Sequence, residues 1–347
     1  MTDTTRANDT TLKELEETAR AMVAEGKGIL AADESSPTIK KRFDSINVES
    51  SLENRQFYRE LLFTTQGLED YISGVILFDE TLRQSAANGT SFSRVLSEKG
   101  IIPGIKVDKG LTTIPNTKDE KVTQGLDGLK ERLEEYRELG ARFTKWRAVI
   151  QIGDHQPSQL SLAINAHTLA RYAAISQSQG LVPIVEPEIL MNGDHTLETC
   201  ERVAQWTLDR VFDELRRQRV SLEGMVLKPS MVTPGDRCPE QATPEAVAQS
   251  TIKIFKRSVP AAVPGIAFLS GGQSSVLATT HLNAMNRNSD LPWELSFSYG
   301  RALQEDCLAT WNGQEGNKEL AQKVLIHRAK CNGAARYGKY SSEMETE

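Results

Sequence analysis

A lysine closes the short apolar run Met225-Val226-Leu227-Lys228, and Pro229 follows it. Proline disfavours helical backbone in the residue before it, so Lys228 is expected extended, at the mouth of a buried strand. A buried amine favours its neutral form, and a neutral amine can add to a carbonyl and form an imine. A single strand-end lysine more often stretches its head to solvent. Here the pattern recurs. Asp33 ends Gly28-Ile29-Leu30-Ala31-Ala32, and Lys106 follows Gly104-Ile105. Lys145 and Arg147 sit inside an apolar run over 143–150, and Glu186 and Glu188 close Leu181-Val182-Pro183-Ile184-Val185.

Strand period two places Phe143, Lys145 and Arg147 on one face, with Thr144, Trp146 and Ala148 on the other. Glu186 and Glu188 likewise share a face. Charges on one parity of an apolar strand are costly unless they meet a polar mouth. Imine formation needs an acid and a base in turn, so Glu186 or Glu188 is expected to move protons; spacing does not choose between them. Lys145 nearby would discourage a second positive charge on Lys228. The competing reading is a structural ion-pair network. Counting Lys106, Lys145, Arg147, Lys228 and Arg301 against Asp33, Glu186 and Glu188, the mouth should favour an anion. Ser270-Gly271-Gly272 and Ser298-Tyr299-Gly300-Arg301 each end a strand and open a helix. Glycine lets backbone N–H groups approach a phosphate, and a helix start adds a favourable dipole. A second anion site is expected from Ser35, Lys106 and the Thr38–Arg42 segment, with a solvated helix face as its alternative.

These groups need eight strand ends in one place. Apolar runs near residues 28, 74, 104, 143, 181, 225, 266 and 294 alternate with helical patterns, the first over 12–25. Alternation of this kind indicates one parallel sheet, and eight units suit a (β/α)8 TIM barrel with extra N- and C-terminal helices. A doubly wound open sheet is the alternative, but no GxGxxG follows the first strand. The expected division is a flexible N-terminus over 1–10, one barrel domain over 11–340 and a flexible acidic tail over 341–347.

The chain has 347 residues, 39% of them hydrophobic, which is enough for a large core. With 47 acidic and 41 basic residues the formal charge is −6, which argues against a general nucleic-acid surface. Residues 1–10 lack the apolar core of a secretory signal, and no run approaches a membrane span. The four cysteines form no CxxC and the five histidines no HExxH or close pair. A reducing compartment and no metal site are expected. The cytoplasm is the expected location.

The chain resembles class I fructose-1,6-bisphosphate aldolases along nearly all its length. The resemblance rests on GKGILAADES from Gly26, GIKVDKG from Gly104, Lys145-Trp146-Arg147, PIVEPE from Pro183, Leu227-Lys228-Pro229, FLSGGQ from Phe268 and FSYGR from Phe297. It implies a (β/α)8 barrel, a homotetramer, small-molecule substrates and no metal or other cofactor. It implies Lys228 as the imine-forming residue, Glu186 as its general acid/base, with Glu188 beside it, and Asp33 as acceptor of the C4 hydroxyl proton, assisted by Lys145. Ser270, Gly271, Gly272, Ser298, Gly300 and Arg301 would hold the C1 phosphate. Ser35, Thr38, Arg42 and Lys106 would lie near the C6 phosphate, with Arg55 and Arg147 close to substrate. The reaction implied is reversible cleavage of fructose 1,6-bisphosphate to dihydroxyacetone phosphate and glyceraldehyde 3-phosphate.

Two positions depart from the resemblance. Many members end in a tyrosine that helps protonate the carbanion, whereas here the last tyrosine is Tyr340 and the sequence ends at Glu347. Pro37 stands where a smaller residue is usual and is expected to stiffen the loop beside the second phosphate. Other imine-forming barrels, such as a transaldolase-like enzyme, and a barrel used as a binding scaffold are the competing functions.

Overall fold

A computed structural model describes residues 3–287 and 290–346, with side chains from residue 11 onward. Among these residues ten strands follow in chain order: β1 Gly28–Ala32, β2 Ile72–Leu77, β3 Ile102–Lys106, β4 Leu111–Thr113, β5 Lys121–Thr123, β6 Phe143–Ile150, β7 Val182–Ile189, β8 Val226–Leu227, β9 Gly265–Phe268 and β10 Glu294–Tyr299. Eight of them close a barrel in the order β1-β10-β9-β8-β7-β6-β3-β2, and every pairing is parallel. The expected eight-stranded barrel is therefore the fold. The short antiparallel hairpin β4–β5 was not anticipated. Its strands have three residues each and β4 is fully exposed, so no apolar alternation marks it.

Helix starts follow local chemistry. Ser51, Ser91, Ser158, Thr196, Thr243 and Ser274 each accept, through the side chain, the backbone N–H three residues on. The first helix runs Asp3–Met22, earlier than the expected start at Leu12. The expectation of flexibility over 1–10 falls on residues whose side chains, and for 1–2 whose backbone, lie outside the description. Pro37 lies in the first turn of the helix Ser36–Asp44, where its missing N–H would be unpaired anyway. It begins a helix rather than stiffening a loop.

The barrel interior is sealed at its N-terminal end. Leu15, Ala19 and Met22 of the first helix, with Val23 in the turn after it, pack against Ile29, Phe143, Val182 and Val226 from the strands. A larger apolar layer lies between strands and helices, where Trp146 stacks on Tyr172 with ring centroids 5.4 Å apart. No helix among the described residues is long and apolar enough to cross a membrane.

The tail departs from expectation. Ser342–Thr346 forms a 3-10 turn. Glu345 pairs with Arg328 and accepts the Tyr340 hydroxyl at 2.6 Å, so this segment is docked rather than free.

Candidate active site

The strands place Lys228 through its own backbone. Its N–H donates to Val185 O of β7 at 2.8 Å, and Pro229 then ends β8. Its side chain enters a cavity of about 880 Å³ at the C-terminal mouth of the barrel. The register pairs Lys106 with Lys145 and Arg147 with Glu186, so charges from β3, β6 and β7 arrive at one level.

Four charges form a chain, with Lys228, Glu186 and Lys145 buried and Asp33 partly exposed at its end. Lys228 Nζ lies 3.2 Å from Glu186 Oε1, Lys145 Nζ 3.4 Å from Glu186 Oε2, and Lys145 Nζ 2.6 Å from Asp33 Oδ2. Glu186 Oε2 makes no hydrogen bond in this arrangement. Burial opposes ionisation of Asp33, but Lys145 and Lys228 outweigh it and hold the carboxyl well below its usual range. Burial also works against the Lys145 ammonium, yet Asp33 and Glu186 overcome it and raise its pKa. Asp33 is thus a carboxylate and Lys145 an ammonium across the neutral range.

Glu188 belongs to a different pair. It holds the Arg147 guanidinium, so the two glutamates that spacing could not separate are separated by their partners. Lys106 is engaged by Asp108, at 2.6 Å from Oδ1. Glu34, buried beside the cavity, pairs with both Arg42 and Arg59, and against the penalty of burial these two hold its carboxyl below the usual range. Asp108 and Glu34 were missed in the sequence, because each acts through a partner set by the tertiary fold. Among the described residues seven cationic and six anionic side chains line the cavity, so the excess of positive charge is one rather than the two expected from the strand ends. Among the described residues Lys41 and Arg301 line the cavity without an ion-pair partner, and they leave it attractive to anions at two points.

The loop after β9 suits phosphate. Gly271 and Gly272 have φ of 56° and 97°, a left-handed run that side chains rarely adopt. A Cβ on Gly272 would lie 3.7 Å from an Arg301 nitrogen, so this loop and the helix Arg301–Trp311 meet at one place. Ser298 Oγ is buried there without a hydrogen-bond partner, and Ser270 and Gly300 also line the cavity. Behind the loop, His281 Nδ1 lies 2.6 Å from Gln273 Oε1. Burial pushes the His281 imidazole down to about 4, so it is neutral and donates from Nδ1. Across the mouth, the Ser35 hydroxyl lies 3.1 Å from that of Thr38 at the start of Ser36–Asp44. Arg55 is the exception among the expected residues. It stands outside the cavity lining, clamped by Glu80 at 2.7 and 2.8 Å and by Ser50 O.

Comparisons with known proteins agree with this geometry. The family described as fructose-bisphosphate aldolase class-I matches residues 14–347. A probable fructose-bisphosphate aldolase class 1 from Xanthomonas campestris is 55% identical over 330 residues, covering 95% of this chain and 99% of the relative. Fructose-bisphosphate aldolase 1 from Toxoplasma gondii is 56% identical over 330 residues, covering 94% and 91%. The solved structure of fructose-bisphosphate aldolase from Plasmodium falciparum, in complex with TRAP and a small molecule inhibitor, superposes with a TM-score of 0.95 at 52% identity, covering 96% of each chain. A charged barrel mouth, a family match across almost all residues and relatives above half identity lead to one statement: this chain belongs to the class-I fructose-bisphosphate aldolase family, a family of carbon–carbon lyases.

Proposed function

We propose that Lys228 forms an imine with the C2 ketone of fructose 1,6-bisphosphate and that the enzyme cleaves the C3–C4 bond without a metal. The observation that carries this reading is the chain of charges Lys228–Glu186–Lys145–Asp33. Lys228 adds to the ketone, and Glu186, 3.2 Å from the amine, hands protons to and from the carbinolamine as water leaves. The protonated imine then accepts the electron pair of the breaking bond, the role a metal-polarised carbonyl would otherwise fill. Asp33, already ionised, takes the C4 hydroxyl proton, with Lys145 as its counter-charge. Glyceraldehyde 3-phosphate departs, the enamine is protonated, and hydrolysis releases dihydroxyacetone phosphate.

The glycine loop, Ser298 and Arg301 are assigned to the C1 phosphate, and Ser35, Thr38, Arg42 and Lys106 to the C6 phosphate. Arg147 borders the substrate. Arg55, held by Glu80, supports the wall rather than the ligand. Glu188 orients Arg147. The same reading expects a homotetramer in the cytoplasm, acting in glycolysis and gluconeogenesis; sedimentation of the purified protein checks the assembly.

Borohydride reduction with dihydroxyacetone phosphate, followed by peptide mapping, tests the mechanism. The expected adduct is on Lys228, and turnover persists in a chelator. An adduct on another lysine, or activity lost to a chelator and restored by zinc, would overturn it.

A further inference from the structure

The last long helix, Lys318–Arg336, carries His327 and Cys331 four residues apart, hence on one face. Cys331 Sγ lies 3.8 Å from His327 Nε2. The C-terminal turn brings Glu345 to the same point, and the three donor atoms lie within 4.8 Å of one another. Neither the turn nor this helix face lines the active-site cavity. Zinc bonds of about 2.0–2.3 Å in a tetrahedral site put neighbouring ligand atoms roughly 3.5 Å apart, so the thiol and imidazole already stand near that separation. A nitrogen, a sulfur and a carboxylate oxygen form a donor set suited to zinc rather than to magnesium or calcium.

The surroundings fit as well. Glu345 accepts hydrogen bonds from two Arg328 nitrogens and from the Tyr340 hydroxyl. A carboxylate offers about four lone-pair positions, so these three bonds orient it and leave room for a metal. Outer partners of this kind are a regular feature of metal sites. Arg328 accounts for where the carboxylate sits, and the imidazole nitrogen and the thiol, which touch each other, stand within 4.8 Å of it. A histidine and a cysteine four residues apart match neither a CxxC nor an HExxH spacing, and Glu345 joins them only through the fold.

We propose that His327, Cys331 and Glu345 bind one zinc ion, with water as the fourth ligand, and that the ion staples the C-terminal turn to the helix Lys318–Arg336. On binding, the Cys331 thiol releases its proton to solvent and the thiolate sulfur donates to the ion. The site is structural and separate from the imine chemistry, so its failure would leave that chemistry untouched.

The test uses the full chain, reduced and stripped with a chelator. Zinc is titrated in competition with a chromophoric chelator, and cobalt is added to a parallel sample. One zinc per chain and a thiolate-to-cobalt charge-transfer band are expected, and Cys331→Ser removes the band. His327→Ala and Glu345→Gln each weaken zinc binding by about tenfold or more, judged from what outer partners alone contribute. His327 is half-buried, so its variant tests the idea even if the Cys331 variant misfolds. No cobalt band, or zinc affinity unchanged in both His327→Ala and Glu345→Gln, would overturn the proposal.

Discussion

At the N-terminal end of the barrel, Ile29, Phe143, Val182, Ile184 and Val226 face inward and pack with the first helix. One or two steps of period two further along the same strands, Asp33, Lys145, Arg147, Glu186, Glu188 and Lys228 occupy the inward positions instead. Parity is shared; only the height along the strand differs. At the lower end a side chain is held by shape, and each buried apolar group contributes about 1.5–3 kcal/mol. At the mouth each of these six charges is held by another, since isolation there would cost several kcal/mol. One end should therefore respond to changes in volume, and the other to changes in charge.

The largest effect is expected from a charge change at the mouth. Lys228→Met should lower cleavage by about four orders of magnitude or more, as loss of a nucleophile usually does. Glu186 keeps Lys145 as a partner in this variant, so cooperative unfolding should be retained. Glu186→Gln should cost about 10²–10⁴-fold through loss of proton transfer. Steady-state cleavage and calorimetry on both variants decide it. Loss of folding with loss of activity would make these charges structural.

The lower end breaks through volume. A Cβ on Gly104 would fall 2.2 Å from Phe143 ring carbons, where neither backbone nor a buried ring can give way cheaply. Gly104→Ala should destabilise by about 3 kcal/mol, at the upper end for overpacking, while the folded fraction keeps its cleavage rate. Adding Phe143→Leu should recover part of the loss, because the two positions share one contact. Additive effects in denaturant melts would show that the clash is absorbed elsewhere.

Much of this contrast was legible in the residues. Apolar runs ending in Asp33, Lys106, Lys145, Glu186 and Lys228 pointed to the barrel and to the end that carries the cavity, because period two and strand-end charge are local signals. What was not legible depends on contacts distant in sequence. Nothing in Glu34 shows that it will hold Arg42 and Arg59, and nothing in Asp108 shows that it will neutralise Lys106. Arg55 looked like a ligand group by resemblance, and Glu80, 25 residues away, takes it out of the cavity. The first helix reads as amphipathic, but that its apolar stripe seals a barrel is decided by the closed sheet.

Behind the mouth, His281 joins the two kinds of packing. It is held low, at about 4 against an ordinary 6.5, mainly by burial, with Glu245 acting weakly the other way. Between those values the unfolded chain takes up a proton that the folded protein refuses. Its full contribution is present above pH 6.5 and is lost as the pH falls to 4, by about 3 kcal/mol. Asp33 and Glu34, also held low, begin to contribute their own loss only below their ordinary 3.8 and 4.5. His281→Asn should flatten the stability curve between pH 6.5 and 4.5 without moving the steeper loss below it. His281→Leu, which leaves Gln273 without its partner, should raise KM for the bisphosphate by roughly fivefold at unchanged kcat, the worth of about one hydrogen bond. An unaltered KM would detach this histidine from the loop proposed to hold phosphate.

The smallest effect is expected where neither volume nor charge is deeply buried. Removing residues 341–347 takes away Glu345 and the turn that covers Arg328. The guanidinium is nearly buried in the intact chain, but the truncation that deprives it of a carboxylate also opens it to water. Hydration then offsets most of the lost pairing, and a destabilisation of about 1 kcal/mol is expected in the metal-free protein. Met344, which packs against the core edge, adds a modest apolar loss. Neither the turn nor Tyr340 lines the cavity, so cleavage and the exchange of the dihydroxyacetone phosphate proton should stay near those of the full chain. A slight fall in melting temperature with intact exchange would keep the tail with the packing end of the molecule. A large fall in exchange with cleavage chemistry otherwise preserved would move it to the mouth, because only a segment that reaches the enamine carbon could slow that step alone.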